Sequence, residues 1–195
     1  FILQKGITCE VDYLKITNDR PEIEIAEVPF IGERKNIGAQ INSSYTDIAP
    51  IISADGQTLY FARGYHPKNY NGIADEADIW FSQKQSDGSW GQAKNIGTPL
   101  NNSGVNVVIN AMPDGNTLFL EGLYNSDGSF RSDQGISVTY RTNTGWSVPK
   151  QVKIDNFYNK NIYETYFFTN DQSVLIMSIE RDDTYGDKDL YVSFR

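Results

Sequence analysis

Histidine and cysteine are almost missing from this chain: His66 and Cys9 each stand alone among 195 residues. A single cysteine excludes an internal disulfide and any multi-cysteine zinc site. A single histidine excludes a His-rich metal centre and leaves His66 as the one possible base for Ser-His or Cys-His catalysis. It lies in Gly64-Tyr65-His66-Pro67-Lys68, which reads as a loop. No Gly-x-Ser-x-Gly elbow and no glycine-rich phosphate loop occurs. The expectation is therefore of no catalytic residue of the nucleophile–base kind and of no cofactor. Long apolar runs are also lacking, and nothing approaches the roughly 20 residues that span a bilayer as a helix. Positive charge is in deficit, 17 basic against 25 acidic side chains, for a net −8. That balance argues against electrostatic binding to nucleic acid or to an anionic membrane surface.

The ends carry two expectations. Phe1-Ile2-Leu3-Gln4-Lys5 has no signal-peptide architecture and reads as the start of a mature or trimmed chain. Cys9, after Gly6-Ile7-Thr8, reads as a small hydrophobe in a strand rather than a lipid-anchored cysteine. Leu190 to Arg195 alternates like a strand and stops without a turn. Such a strand calls for a neighbour, either the N-terminal segment or further chain.

What the chain has is a repeat. Asn36-Ile37-Gly38-Ala39-Gln40-Ile41-Asn42 returns 59 positions later as Asn95-Ile96-Gly97-Thr98-Pro99-Leu100-Asn101. Asp55-Gly56-Gln57-Thr58-Leu59-Tyr60-Phe61 returns as Asp114-Gly115-Asn116-Thr117-Leu118-Phe119-Leu120, again 59 later, and more weakly as Asn170-Asp171-Gln172-Ser173-Val174-Leu175-Ile176. Asp78-Ile79-Trp80-Phe81-Ser82 is answered by Gly135 to Thr139 and by Asp189 to Ser193. Asp87-Gly88-Ser89-Trp90-Gly91 is answered by Asn143 to Ser147.

Each unit reads as four short strands. In the first these are Ala49 to Ala54, Thr58 to Arg63, Asp78 to Lys84 and Trp90 to Asn95, with Asp-Gly turns between the first two and the last two. No segment sustains a 3.6-residue period, so helix is expected to be minor. Four-stranded units at this period suggest β-propeller blades. The expected fold is thus all-β, with about three and a half blades: 1–35 as the end strands of a preceding blade (Cys9 to Ile16 and Glu22 to Val28), 36–94 and 95–151 as full blades, and 152–195 as an incomplete one. Propellers usually have 4–8 blades, so further blades are expected from the parent chain or from a partner.

The pattern resembles the TolB-type, WD-like propeller repeat of bacterial envelope proteins. The residues that carry the resemblance are Ile52-Ser53-Ala54-Asp55-Gly56, Thr58 to Phe61, Asp78-Ile79-Trp80, Asp87 to Gly91 and Asn36 to Asn42. It is similar to the variety that precedes OmpA-like peptidoglycan-binding domains. The third unit departs at Gln172, where the turn glycine would stand, and the second at Gly135, where the strand aspartate would stand. The resemblance implies a non-catalytic protein-binding scaffold, periplasmic and associated with the outer membrane, without membrane insertion of its own.

Three sets of candidate residues follow. In a propeller the loops 36–47, 64–77, 95–106, 122–134, 155–164 and 181–188 share one face. They collect Tyr45, Tyr65, His66, Tyr70, Tyr124, Tyr158, Tyr163 and Tyr185, a set suited to contact with a protein partner. Several of these tyrosines are expected to pin their loops instead. Asp47, Glu121, Glu164 and Glu180 supply the alternative, an acid pair in a carbohydrate-active or glycan-binding propeller. Asp182, Asp183, Asp187 and Asp189, with Asp75, Glu76 and Asp78 in the corresponding place earlier, are oxygen-rich enough for calcium. Their plainer reading is that Asp78 and Asp189 hold loop backbone at a strand start.

Overall fold

The computed structural model describes residues 35–195, and the strands expected within 1–34, with Cys9, lie outside them. Residues 36–195 form one compact unit. The chain runs through strands β1 (Thr46–Ile52), β2 (Thr58–Gly64), β3 (Asp78–Gln83) and β4 (Lys94–Asn95), which make a first antiparallel sheet in that order. Strands β5 (Val108–Ala111), β6 (Thr117–Tyr124) and β7 (Phe130–Thr142) continue into a second sheet, with β8 (Gly145–Trp146) and β9 (Lys150–Gln151) both paired to β7. Strands β10 (Thr165–Phe168), β11 (Val174–Ile179) and β12 (Asp189–Phe194) form a third, three-stranded sheet. A single 3-10 turn, Gly72–Ala74, is the helical content of the described residues.

The same turn opens each sheet. Gly56 N–H donates to the Ser53 carbonyl, Gly115 to Met112, and Gln172 to Thr169. Asp55, Asp114 and Asp171 accept the backbone N–H two residues on, at 2.9, 2.8 and 3.0 Å. Hydroxyl bonds from Ser53, Thr117 and Thr169, and then these backbone bonds, favour the ionised form and hold all three carboxyls below the usual range, Asp171 at about 2. The turn needs a left-handed residue, which Gly56 and Gly115 supply at φ 69° and 66°. Gln172 takes φ 59° in their place.

Two strands differ from expectation. The first spans Thr46–Ile52 rather than 49–54, with a register shift between Ile48 and Ile51. Pro50 lies inside that shift and has no N–H for the ladder, and Ala49 turns to φ 51°. The fourth strand shortens to Lys94–Asn95, with Trp90 reduced to one bridge to Lys84.

The sheets stack face to face, and the pleat decides which side chains meet. Tyr60 and Ile79 of the first sheet bury against Val108, Leu118 and Leu120 of the second. Phe119 and Ile136, on the opposite face of the second sheet, bury against Tyr166, Phe168, Leu175, Met177 and Ile179 of the third. Leu59, Phe61 and Trp80 pack with Ile41 and Ala93 on the far side of the first sheet. The opening strands adjoin in series, β1 beside β5 and β5 beside β10.

Candidate partner-binding face

The repeated Asn-x-Gly-x-x-x-Asn element is a side-chain staple. Asn36 Oδ1 accepts Gly38 N–H at 2.8 Å and Asn42 Nδ2 at 2.9 Å. Asn95 Oδ1 accepts Gly97 N–H and Asn101 Nδ2 at the same two distances. Asn101, fully buried, also accepts Ile79 N–H at 2.9 Å and donates to the Ile79 carbonyl at 3.0 Å. The segments that lead into the first two sheets are thereby stapled, the second directly to β3 of the sheet before it.

A second position repeats with changed chemistry. In the first repeat Asp47 accepts Ser43 N–H and Oγ, and Arg63 Nε at 2.6 Å. Arg63 also donates to the Ile41 carbonyl and lies 4.4 Å from the Trp80 ring. In the second repeat Asn106 accepts Asn102 N–H and donates to Tyr124 Oη at 3.3 Å, while Tyr124 donates to the Leu100 carbonyl at 2.7 Å. In the third Glu164 accepts Gly135 N–H at 3.1 Å and Asn159 Nδ2 at 3.3 Å.

These braces hold long loops at one end of the sheets. Asn69, buried, accepts Trp80 Nε1–H and donates to the Arg63 carbonyl. Asp78 Oδ2 accepts Tyr70 N–H at 2.8 Å and Asn95 Nδ2 at 2.6 Å, and Asp189 accepts Tyr185 N–H at 2.7 Å. Asp78 is fully buried with Oδ1 unpartnered, and burial pushes its carboxyl up to about 6.

The expected tyrosine set divides. Tyr124 is 7% exposed and belongs to the bracing, so it leaves the candidate face. Its phenol is raised well above the ordinary range by burial. Tyr158 keeps partial exposure but is pinned: its hydroxyl donates to Asp182 and accepts Asp182 N–H, and Arg181 lies 4.1 Å from its ring. Tyr45 is packed edge-on to His66 at 4.8 Å, and His66 in turn to Trp80 at 4.6 Å. His66 Nδ1 accepts Lys68 N–H, and its pKa is lowered by burial, then by Arg63 and Lys68. Tyr65, Tyr70, Tyr163 and Tyr185 are open, the last two at 68% and 101% exposure. Ile73 and Ile162 stand equally open beside them in sequence, aliphatic positions that the tyrosine pattern does not mark. The face thus has two groups, Tyr45, Tyr65, His66 and Tyr70 on the first sheet and Tyr163 and Tyr185 on the third.

The acidic candidates separate as well. Asp182 pairs with Lys160, Asp183 with Arg181 at 3.7 Å and Tyr191 Oη at 2.9 Å, Asp187 with Asn161, and Asp189 with its own loop. They do not converge, and among the described residues no group of three or more His, Cys, Asp or Glu is arranged to hold a metal. Asp47 is consumed by Arg63, and Glu180 accepts Asn161 Nδ2 at 3.1 Å. Glu121 is pushed up to about 7, by burial first and then by the Glu164 charge.

No known family model matches the chain, and no curated protein matches it significantly. Among the described residues no helix is long and apolar enough to cross a membrane.

Proposed function

We propose that this chain is a large part of a TolB-like β-propeller serving as a non-catalytic, protein-binding scaffold in the bacterial envelope, in the periplasm and associated with the outer membrane. The observation that carries the reading is the braced loop face. Buried amides, Asp78 and Tyr124 fix the loop stems, while Tyr65, Tyr70, Ile73, Tyr163 and Tyr185 project outward. Rigid aromatic contact surface costs little entropy on binding. The address within the envelope rests on the repeat resemblance alone.

The propeller part of the reading is supported by the stacking. The face of Tyr60, Ile79 and Phe81 is covered by the second sheet, and that of Phe119, Ile136 and Val138 by the third. The same register positions in the third sheet are Ile176, Leu190 and Val192, and these are 38%, 77% and 54% exposed. A fourth sheet of this kind would bury them. The carbohydrate alternative has less support, because its best acid, Glu164, is buried at a seam and bonded to backbone rather than open to a sugar.

The test is capture. Immobilised chain should retain an envelope protein that Tyr65→Ala/Tyr70→Ala/Tyr163→Ala loses, while Asn116→Ala, at the opposite turns, retains it. Equal capture by both variants would refute the assignment of this face.

A further inference from the structure

The three sheets share one ladder. Lys84, Arg141 and Arg195 each donate their N–H to the carbonyl two residues past the turn aspartate, at Gln57, Asn116 and Ser173. By the alternation of an antiparallel ladder, the backbone groups one residue before each of them point away from the neighbouring strand. In the first two sheets an outer segment meets such groups. Gly91 N–H donates to the Gln83 carbonyl at 2.8 Å and Ile96 N–H to the Ile79 carbonyl at 3.0 Å. Ser147 N–H donates to the Tyr140 carbonyl at 2.9 Å and Val152 N–H to the Ile136 carbonyl at 2.8 Å. The matching carbonyls on β12 are those of Phe194 and Leu190. Among the described residues β12 pairs with β11 alone, and no N–H reaches either carbonyl.

The outer segment of the second sheet also brings a tryptophan. Trp146 pairs with Arg141, whose guanidinium lies 4.2 Å from its ring, and packs at the seam of the first two sheets beside Tyr60, Phe81 and Ile96. One seam on, the same positions hold Arg195, Phe119, Val138 and Val152. These residues line an open cavity of about 320 Å³ between the second and third sheets. With Trp146 in place, about 170 Å³ is left at the first seam. The other two of the chain's three tryptophans are also placed elsewhere, Trp80 buried in the first sheet and Trp90 bridged to Lys84. An indole in this cavity therefore comes from outside these 195 residues. We propose that the β12 edge and this cavity receive an extended segment of a partner protein, whose tryptophan enters the cavity over Arg195. The added strand satisfies the Leu190 and Phe194 carbonyls, and the indole stacks on a guanidinium as Trp146 does. This surface lies at the Gln172 turn, at the other end of the sheets from the loop face, and goes beyond the capture proposed there.

The probe is a fluorescein-labelled peptide with the sequence of residues 143–153, the outer segment of the second sheet, titrated with the whole chain. Anisotropy should show saturable one-to-one binding. The Trp146→Ala peptide should bind at least tenfold more weakly. A peptide N-methylated at Ser147 and Val152 should do the same, because it lacks the two donors to β12. Arg195→Ala in the chain should weaken binding roughly threefold. Lys84→Ala, at the same position on the first sheet, should leave it unchanged. Both side chains are exposed, so both variants should fold, which circular dichroism checks. No binding by the wild-type chain, or equal binding of either altered peptide, would overturn the proposal. So would binding indifferent to Arg195→Ala, which means that the peptide has exchanged into the second sheet, or binding lost in Lys84→Ala, which puts it on the first.

Discussion

Arg63 and Tyr124 do the same work one repeat apart. Arg63 donates to the Ile41 carbonyl and to the side chain of Asp47; Tyr124 donates to the Leu100 carbonyl, 59 positions after Ile41, and accepts from Asn106, 59 after Asp47. A charged solution and a neutral one meet the same demand, a donor for a buried carbonyl on the entry segment.

The two solutions should differ in cost when cut. Tyr124→Phe leaves the Leu100 carbonyl without its donor and should lower unfolding free energy by about 1–2 kcal/mol. Arg63→Leu strands the Asp47 carboxylate as well and should cost about 3–5 kcal/mol. Urea melts of the two variants measure both, and equal losses would contradict the charge argument.

The turn that opens each sheet gives a paired test. Gly115→Ala puts a Cβ on a φ 66° residue and should destabilise by about 1 kcal/mol. Gln172→Gly relieves the same strain at φ 59° and should be neutral to stabilising, by up to about 1 kcal/mol. Thermal melts decide it; a clear loss from Gln172→Gly would mean that the glutamine side chain contributes more than the backbone costs.

Asp78 predicts a pH dependence. Its folded pKa, about 6, is above the unfolded value near 4, so the native state holds the proton more tightly. Between pH 4 and 6 the folded chain binds more protons than the unfolded one, so this group's contribution falls as pH rises through that window. Wild type and Asp78→Asn, compared by urea melts at pH 4, 5 and 6, should differ by a slope approaching one proton, the variant gaining stability relative to wild type as pH rises. Parallel profiles would remove Asp78 as the source.

The stacking rule is tested by truncation at equivalent positions. Ile79→Ala and Ile136→Ala, both at fully buried residues, should each cost about 2–5 kcal/mol. Leu190→Ala, at the matching place in the third sheet, should cost less than about 0.5 kcal/mol in this chain. If Leu190→Ala is as damaging as the other two, its face is already covered in solution.

The strands, their order and the turns were legible because they depend on local signals: Asp-Gly pairs, β-branched and aromatic runs, and a repeat period that places each copy by the others. The exceptions have local causes too, as at Pro50, whose missing N–H shifts the first strand. The candidate face was legible only in part. Sequence shows that Tyr124 and Tyr65 both follow a second strand, yet Tyr124 turns inward because Asn106 and the Leu100 carbonyl await its hydroxyl, whereas Arg63 already fills that role in the first repeat. Such substitution between chemically unlike donors has no pattern in one sequence. The effect of the Glu164 charge on Glu121 likewise depends on how two sheets stack, which periodicity alone does not state.

Asn101 gives both ends of its amide to the backbone N–H and C=O of Ile79. A side chain is standing in for one residue of a strand. The ladder therefore gains a rung without any strand having to extend into the loops, and the stems are clamped at a point that does not depend on loop composition. The residues between such clamps are free to be exchanged, so one frame of this construction can carry different loop surfaces.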